Sequence, residues 1–232
     1  MKRHRLGQHY LADEGVALRM VEYADIDRGE RVLEIGAGKG AITRLLAVRG
    51  ASFLAYEVDK ENFDGTLEAL KGTGADIRLG DAFAERPEFD VLVASLPYSE
   101  SSAFVRWLCT MEFDRAVVML QRDFVEKLTA PPGSRDYRGV SALAQLAFGI
   151  RILEYVASDA FLPRPKVGSV VVAIAPRHRL SERIASRIIK LFTLRRRQVD
   201  SALAELGMDG PGYGRRRVFS LGPEEVFDLC KE

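Results

Sequence analysis

Short apolar runs rich in β-branched residues alternate with segments of helical periodicity along most of this chain, beginning near residue 31. Strands and helices that alternate through short connections form a mostly parallel sheet, covered by helices on both faces. The predicted strands are residues 31–35, 52–58, 76–79, 89–95, 115–120, 150–156 and 169–175. The helices predicted between them are residues 40–48, 60–70, 101–109 and 122–129. The pattern therefore predicts an α/β fold.

The carboxyl-terminal third departs from this alternation in two ways. Only residues 158–168, which include two prolines, separate the last two predicted strands, so no crossover helix fits between them. We expect these strands to form a hairpin at the sheet edge, with one member antiparallel. Beyond Pro176, amphipathic helices are predicted at residues 181–194, 198–206 and 223–231. We expect one domain over residues 1–176 and a small helical domain over residues 177–232.

Composition excludes several classes of protein. With 232 residues, 47% hydrophobic and 29% charged, the chain has the balance of a soluble globular protein. No stretch reaches the roughly 20 apolar residues that cross a bilayer, so no membrane partner is expected. Cys109 and Cys230 cannot build a disulfide framework and lie in no metal-ligand spacing. We expect a cytoplasmic monomer without a bound metal.

Positive charge is concentrated toward the carboxyl end. The net charge of the whole chain is only +1, but residues 177–217 contain eleven Lys or Arg against four Asp or Glu. Six of these arginines form two triplets, at residues 195–197 and 215–217. Such a block indicates a polyanionic partner such as RNA, although a solvated helix face gives the same pattern.

A glycine-rich segment follows the first predicted strand. It includes Gly36, Ala37 and Gly38 and precedes a predicted helix. Glycine permits a sharp turn and lets a ligand approach the backbone, while the helix N-terminus presents free amides. Because Gly36, Gly38 and Ala41 also fit a dinucleotide-binding spacing, this loop alone leaves a nicotinamide cofactor open. A tight turn between strand and helix that binds no ligand is a further alternative.

Acidic residues near three successive strand ends favour S-adenosylmethionine instead. Glu34, which we expect inside the glycine loop, would repel a pyrophosphate but suits an ammonium group. Glu57, at the end of the second strand, is suited to ribose hydroxyls. Asp81, after the third strand, can accept from an adenine amino group while the Ala82 amide donates to a ring nitrogen. Asp81 alone is equally a turn or cap residue, but ligands do bind at this edge of parallel sheets.

The segment Ser95-Leu96-Pro97-Tyr98 follows the fourth predicted strand. Acceptors directed at an adenine amino group localise its nitrogen lone pair and stabilise the charge that develops during methyl transfer. Pro97 keeps the backbone extended so that the preceding carbonyl can face a pocket. Tyr98 offers a flat face on which a base can stack. We interpret this segment as the site of chemistry on adenine.

Phe161 is a second aromatic candidate for base binding. Pro163 and Pro165 follow it closely and stiffen the loop. This loop can place Phe161 against the other face of a base that has been extruded from its stack. Simple packing of Phe161 into the core is the alternative.

Together these motifs resemble the ribosomal RNA adenine N6-dimethyltransferase family, which dimethylates two adjacent adenines near the end of small-subunit rRNA. Residues 6–11 match the family's L-G-Q-N-F-L element, and residues 96–98 match the last three positions of its N-L-P-Y element. The other matching segments are residues 32–43, 80–82, 121–145, 161–169 and 223–226. The resemblance covers nearly the whole chain in order.

The resemblance implies a Rossmann-like methyltransferase sheet, mostly parallel with one antiparallel edge strand, and a small C-terminal helical domain that meets rRNA. It implies S-adenosylmethionine as cofactor and small-subunit rRNA, or the pre-ribosomal small subunit, as partner. The residues implied to hold the cofactor are Gln8, His9, Leu11, Glu34, Gly36, Ala37, Gly38, Glu57, Val58, Asp81, Ala82 and Ser95. The residues implied in catalysis are Ser95, Leu96, Pro97, Tyr98 and Phe161.

Two positions depart from the family pattern, since Ser95 and His9 each stand where the family has Asn. A serine hydroxyl still accepts a hydrogen bond, but it reaches less far than an asparagine amide. An RNA-binding ribosome-assembly factor with weak or absent catalysis is therefore an alternative. A methyltransferase of large-subunit rRNA is another, and a nicotinamide oxidoreductase would leave residues 96–98 unexplained. The favoured function is dimethylation of adjacent adenines in small-subunit rRNA during ribosome assembly.

Overall fold

The computed structural model describes residues 9–231. Seven strands form one sheet in the order β4-β3-β2-β5-β6-β9-β7, while β1 and β8 form a separate two-stranded ribbon. The strands are β1 (Tyr10–Leu11), β2 (Val32–Ile35), β3 (Phe53–Glu57), β4 (Asp76–Leu79), β5 (Val91–Ser95), β6 (Arg115–Gln121), β7 (Phe148–Val156), β8 (Phe161–Leu162) and β9 (Ser169–Pro176).

The seven predicted strands and seven predicted helices are all present, with ends that differ by at most two residues. The helices are α1 (Glu14–Tyr23), α2 (Ala41–Val48), α3 (Lys60–Ala69), α4 (Ala82–Glu85), α5 (Ser101–Leu108), α6 (Arg122–Leu128), α7 (Gly139–Ala147), α8 (Glu182–Thr193), α9 (Val199–Leu206) and α10 (Pro223–Cys230). The sequence prediction lacked α1, α4, α7, β1 and β8. In α7 most side chains are buried, so no polar stripe marks its period.

The order of the central strands creates a crevice at one edge of the sheet. β2, β3 and β4 follow one another outward, and the chain then crosses back to place β5 on the other side of β2. The pairs β2–β3, β2–β5, β3–β4 and β5–β6 are all parallel. A reversal of this kind separates the loops at the carboxyl ends of the two central strands, which leaves room for a ligand.

The predicted Rossmann-like α/β class is confirmed, with a difference in where the antiparallel strand lies. β9 runs antiparallel to β6 and lies between β6 and β7, so it is one position inside the edge and β7 is the edge strand. Burial explains this order. The first four residues of β9 are buried in succession, whereas β7 carries exposed Arg151, Ile152 and Tyr155. A strand that is apolar on both faces belongs inside a sheet.

The contact pattern divides the chain into two compact units. The sheet unit contains the described residues up to 101, with 112–122 and 150–175, and its core includes Met20, Leu46 and Val93. The helical unit contains residues 102–111, 123–149 and those from 176 onward. In the helical unit α8 packs against α7 and α10. The domain boundary at residue 176 stays a prediction.

Two features are absent from residues 9–231. No helix there is both long and apolar enough to span a lipid bilayer. No group of three or more His, Cys, Asp or Glu side chains in that range could hold a metal ion.

Candidate active site

A cavity of about 280 Å³ lies at the carboxyl ends of β2, β3, β4 and β5 in the sheet unit. The four loops that follow these strands line it together with the N-terminal segment before α1. The predicted cofactor residues found in its lining are His9, Leu11, Glu34, Gly36, Ala37, Gly38, Glu57, Val58, Asp81, Ala82 and Ser95. Gln8 lies outside the described residues. The sheet thus gathers at one edge side chains that are separated by up to 86 positions in sequence.

The glycine loop after β2 needs glycine for its backbone conformation. Gly36 and Gly38 have φ values of 80° and 56°, in the left-handed region that other residues rarely adopt. A Cβ on Gly38 would lie 3.4 Å from the Tyr10 ring. The amides of Gly36 and Ala37 both donate to the Tyr56 carbonyl, at 2.9 and 3.1 Å. The loop is therefore tied to β3.

Glu57 also fixes the glycine loop. This buried carboxylate ends β3, and its Oε2 accepts a hydrogen bond from the Gly38 amide at 2.7 Å. Its Oε1 accepts from the Asp59 amide at 2.8 Å. Each carboxylate oxygen has a second lone pair, so both oxygens retain capacity for a ligand hydroxyl group.

Glu34 lies within β2 and not in the loop, and it is only 1% exposed. Thr43 Oγ1 donates to its Oε1 at 3.1 Å, while its Oε2 is buried without a hydrogen-bond partner. Burial raises the pKa of Glu34 to about 8, and the nearby charge of Glu57 adds to the rise. A buried acceptor without a donor at the wall of a cavity suits a ligand that brings a donor or a positive charge.

Sequence analysis left Asp81 either as a helix cap or as a residue of the cofactor site. In the structure it caps a helix and also lines the cavity. It is the N-cap of α4, and its Oδ1 accepts from the Phe83 amide at 2.9 Å. This bond uses one of its two carboxylate oxygens. Ala82 beside it is buried, and both residues line the cavity. The capping bond therefore orients the carboxyl group without consuming it.

The predicted catalytic residues surround a second, much smaller cavity of about 10 Å³. Ser95, Leu96 and Pro97 line both cavities, whereas Tyr98 and Phe161 line only the small one. The Tyr98 hydroxyl lies 2.8 Å from Ser169 Oγ. The Pro97 carbonyl accepts from the Glu100 amide at 2.9 Å and closes the turn. The chain segment after β5 thus forms the wall between the two cavities.

Phe161 lies in β8 and is 3% exposed. Its backbone pairs with Leu11 of β1, which brings the loop after β7 to the N-terminal segment. The small cavity has room for roughly one water molecule, so a purine can enter only after side chains move. The base-clamp role of Tyr98 and Phe161 stays a prediction.

His9 joins the same N-terminal segment to the loop that contains Phe161. Its Nδ1 lies 2.6 Å from the Pro163 carbonyl oxygen. Its ring lies 5.8 Å, between centroids, from the Tyr98 ring at an angle of 37°. His9 also lines both cavities.

Sequence analysis missed several residues that line the large cavity. Tyr10 accepts a hydrogen bond from Asn62 Nδ2 at 3.2 Å, and Lys39 Nζ lies 5.0 Å from the centre of the Tyr10 ring. Tyr56 and Phe83 add aromatic surface. Each of these four residues lies within or next to a predicted motif, which is the only sequence signal they carried. Whether their side chains reach the cavity depends on how the strands and helices are placed.

The helical unit carries the two arginine triplets. The arginines in them differ in whether they have a bonding partner. Arg216 pairs with Glu225 at 2.5 Å, and Arg197 pairs with Glu205 at 3.2 Å. Arg195 donates to backbone carbonyls of the loop before α7, and burial and nearby arginines lower its pKa. Within the two triplets, the exposed arginines for which the described part of the chain shows no acidic partner are Arg196, Arg215 and Arg217. These three cations are free to meet an anion.

Comparison with known proteins gives a consistent result. A family model described as ribosomal RNA adenine dimethylase matches residues 1–211. The probable ribosomal RNA small subunit methyltransferase A of Pyrococcus abyssi (strain GE5 / Orsay) is 34% identical, over 97% of this chain and 89% of its own length.

Two solved structures share this architecture across the whole chain. A dimethyladenosine transferase from Plasmodium falciparum has a TM-score of 0.77 at 23% identity, covering 95% of this chain and 96% of its own. The 23S rRNA methyltransferase ErmE has a TM-score of 0.67 at 26% identity, covering 96% of this chain and 100% of its own. The Plasmodium structure, at 23% identity, shows only that the fold is shared. The assignment to a family depends on the family model and on the Pyrococcus abyssi relative. The chain therefore belongs to the ribosomal RNA adenine dimethylase family of methyltransferases.

Proposed function

We propose that this protein transfers methyl groups from S-adenosylmethionine to the exocyclic amino group of adenines in small-subunit rRNA, and that it adds two to each. The observation that carries this proposal is the shared wall of the two cavities. Ser95, Leu96 and Pro97 line both the cavity with the glycine loop and the cavity with Tyr98 and Phe161. Family membership favours this chemistry over a nicotinamide oxidoreductase.

The large cavity fits the cofactor in charge and in shape. The unpartnered Oε2 of Glu34 suits the ammonium group, and Gly36 has no side chain to obstruct it. Glu57 is positioned for the ribose hydroxyls, and Asp81 with the Ala82 amide for the adenine ring. When bound, S-adenosylmethionine supplies a methyl group activated by a sulfonium centre.

The residues of the small cavity bind and orient the target base. Tyr98 and Phe161 stack on its two faces, and stacking of this kind is worth about 1–3 kcal/mol for each base. Oxygen atoms of Ser95 and Leu96 accept hydrogen bonds from the amino group and localise its lone pair toward the methyl donor. Because the nitrogen and the methyl carbon must meet in line, positioning supplies much of the rate enhancement.

Small-subunit rRNA is the proposed substrate because the Pyrococcus abyssi relative carries that substrate in its name. Large-subunit rRNA is the alternative, since ErmE is named as a 23S rRNA methyltransferase. The unpaired arginines of the helical unit supply sequence-independent contacts with phosphate groups for either RNA.

Mass spectrometry of digested rRNA tests the proposal. Purified protein and S-adenosylmethionine are incubated with unmodified small subunits, large subunits or protein-free rRNA. We expect dimethylated adenosine in the small-subunit sample. Dimethylation confined to the large subunit would support the alternative substrate, and no methylated adenosine in any sample would support an RNA-binding assembly factor.

A further inference from the structure

His9 lies where the two cavities meet. Among the described residues, only His9, Ser95, Leu96 and Pro97 line both cavities. The large cavity holds the residues assigned to the cofactor, and the small cavity holds those assigned to the base. A side chain that lines both is therefore close to the place where a methyl group and an amino nitrogen have to meet.

The hydrogen bond of His9 fixes which ring nitrogen carries the proton. Nδ1 lies 2.6 Å from the carbonyl oxygen of Pro163, and a carbonyl oxygen can only accept. Nδ1 therefore carries the hydrogen, and in the neutral ring Nε2 is the acceptor nitrogen. Contact with the Tyr98 ring holds the imidazole beside the predicted base site.

Methylation of an amino group requires that a proton leave. Each transfer forms one C–N bond and breaks one C–S bond, with the bonding electron pair leaving on sulfur. The amino nitrogen gains a positive charge and then loses one hydrogen as a proton. On the proposed function, on which this inference rests, we propose that Nε2 of His9 accepts that proton at each of the two transfers and then releases it to water.

The other ionisable groups are less well placed for this step. The charged groups that share a cavity with His9 are Glu34, Lys39, Glu57, Asp81 and Glu100, and all of them line only the large one. The phenols of Tyr10 and Tyr56 line the large cavity as well, and the Tyr98 hydroxyl is bonded to Ser169. A serine hydroxyl such as that of Ser95 is too weak a base to hold a proton. Among residues 9–231, His9 is the one basic group common to both cavities.

The variant His9→Gln is designed to remove proton acceptance and to keep the hydrogen bond to the Pro163 carbonyl. The glutamine amide can donate to the Pro163 carbonyl and can accept a hydrogen bond, but it cannot hold a proton. General-base catalysis contributes about 10²–10⁴-fold, so single-turnover methylation by His9→Gln should be at least about 100-fold slower at pH 8. The wild type and the variant should differ in the pH dependence of this rate, because the glutamine cannot take up a proton. The titration of Glu34 is common to both proteins.

The matched control is His178→Gln, which changes an exposed histidine of the helical unit. It should keep the rate and pH profile of the wild type. Because His9 also lines the cofactor cavity, calorimetry with S-adenosylhomocysteine measures the cofactor affinity of each protein, and the single-turnover rates are compared at saturating cofactor. Nitrogen NMR of the imidazole should show hydrogen on Nδ1 of His9.

Each outcome separates the two proposals. Wild-type activity with an unchanged pH profile in His9→Gln, or hydrogen on Nε2 in the free protein, would overturn the role of His9 alone. A wild type that transfers no methyl group to any rRNA would overturn the proposed function and this inference with it.

Discussion

Glu34 shows how position in the fold changes the chemistry of one side chain. A carboxyl group normally has a pKa near 4.5, but burial within β2 raises that of Glu34 to about 8. Hydrogen bonding from Thr43 lowers the pKa but does not offset the loss of hydration. The folded protein therefore favours the protonated group until a ligand brings positive charge.

This raised pKa predicts a pH-dependent stability. Between pH 4.5 and about 8 the unfolded chain has released the Glu34 proton while the folded protein retains it. The contribution to the free energy of unfolding is thus fully present below pH 4.5 and is lost as the pH rises to about 8. Urea denaturation at several pH values should show this fall in the wild type. Glu34→Gln should reduce it, and an equal fall in both proteins would contradict the assigned pKa.

Tyr98 is predicted to bind the base and not the cofactor, since it lines only the small cavity. Tyr98→Ala should lower single-turnover methylation about 5- to 150-fold through loss of about 1–3 kcal/mol of stacking. Affinity for S-adenosylhomocysteine, measured by calorimetry, should stay within about twofold. Tyr155→Ala, which removes an exposed tyrosine of β7, serves as the control and should retain full activity. Loss of cofactor affinity in Tyr98→Ala would remove the base-clamp role.

A substitution at Ser95 tests how far the hydrogen-bond acceptor must extend from the backbone at the predicted reaction centre. An asparagine at this position would place its acceptor oxygen farther from the backbone than the serine hydroxyl. Ser95→Asn should therefore raise the fraction of dimethylated over monomethylated adenosine in digested rRNA. A lower dimethylated fraction would show that the shorter side chain is required by the surrounding pocket.

The β1–β8 ribbon brings together segments that sequence analysis treated separately. Its two-residue strands pair Leu11 with Phe161, and His9 beside it contacts the Pro163 carbonyl.

In the helical unit, the segments that follow α8 and α9 carry the arginine triplets in which paired and unpaired residues alternate. The conformation of these short segments determines which arginine charges remain available to a partner.

The unpaired arginines predict salt-dependent RNA affinity. Replacing Arg196, Arg215 and Arg217 with Gln should weaken rRNA binding and lower its dependence on salt, by about 0.7–0.9 in slope for each phosphate group that is no longer neutralised. Arg216→Gln is the matched control because Arg216 already pairs with Glu225. Filter binding across a salt series measures both slopes. Equal slopes for the triple variant and the wild type would place the RNA-binding surface elsewhere.

The whole chain forms two units whose segments interleave in sequence. Residues 123–149 precede the predicted boundary at 176, yet they group with the residues that follow it. α7 packs against α8, and a Cβ on Gly139 would lie only 3.0 Å from the Phe192 Cβ. Tyr137 packs edge-on against Phe192 with centroids 5.4 Å apart.

Truncation tests the two-domain prediction. A chain ending at Pro176 would expose the face of α7 that covers α8, and loss of one buried aromatic partner costs about 3–5 kcal/mol. We expect the free energy of unfolding in urea to fall by at least that amount. Phe192→Ala in the full chain should lower it in the same direction. Unchanged stability of the truncated chain would support an independently folding domain over residues 1–176.

The local sequence pattern was sufficient to predict much of the fold and part of the candidate site. Alternating periodicities predicted the main strands and helices, because side-chain burial on a strand or helix follows its own repeat. Glu57 and Asp81 were predicted because parallel strands bring their carboxyl ends to one edge. The sequence by itself thus determined the α/β class, the glycine loop and the edge at which acidic groups gather.

Only the tertiary structure decided the contacts between distant segments. The pairing of Leu11 with Phe161 and the hydrogen bond of His9 to Pro163 join residues about 150 positions apart, which no local repeat encodes. The same holds for the raised pKa of Glu34, because desolvation depends on every atom packed around the carboxyl group. The inner position of β9 likewise follows from burial on both of its faces. Burial is a property of the assembled molecule, and periodicity is a property of the chain.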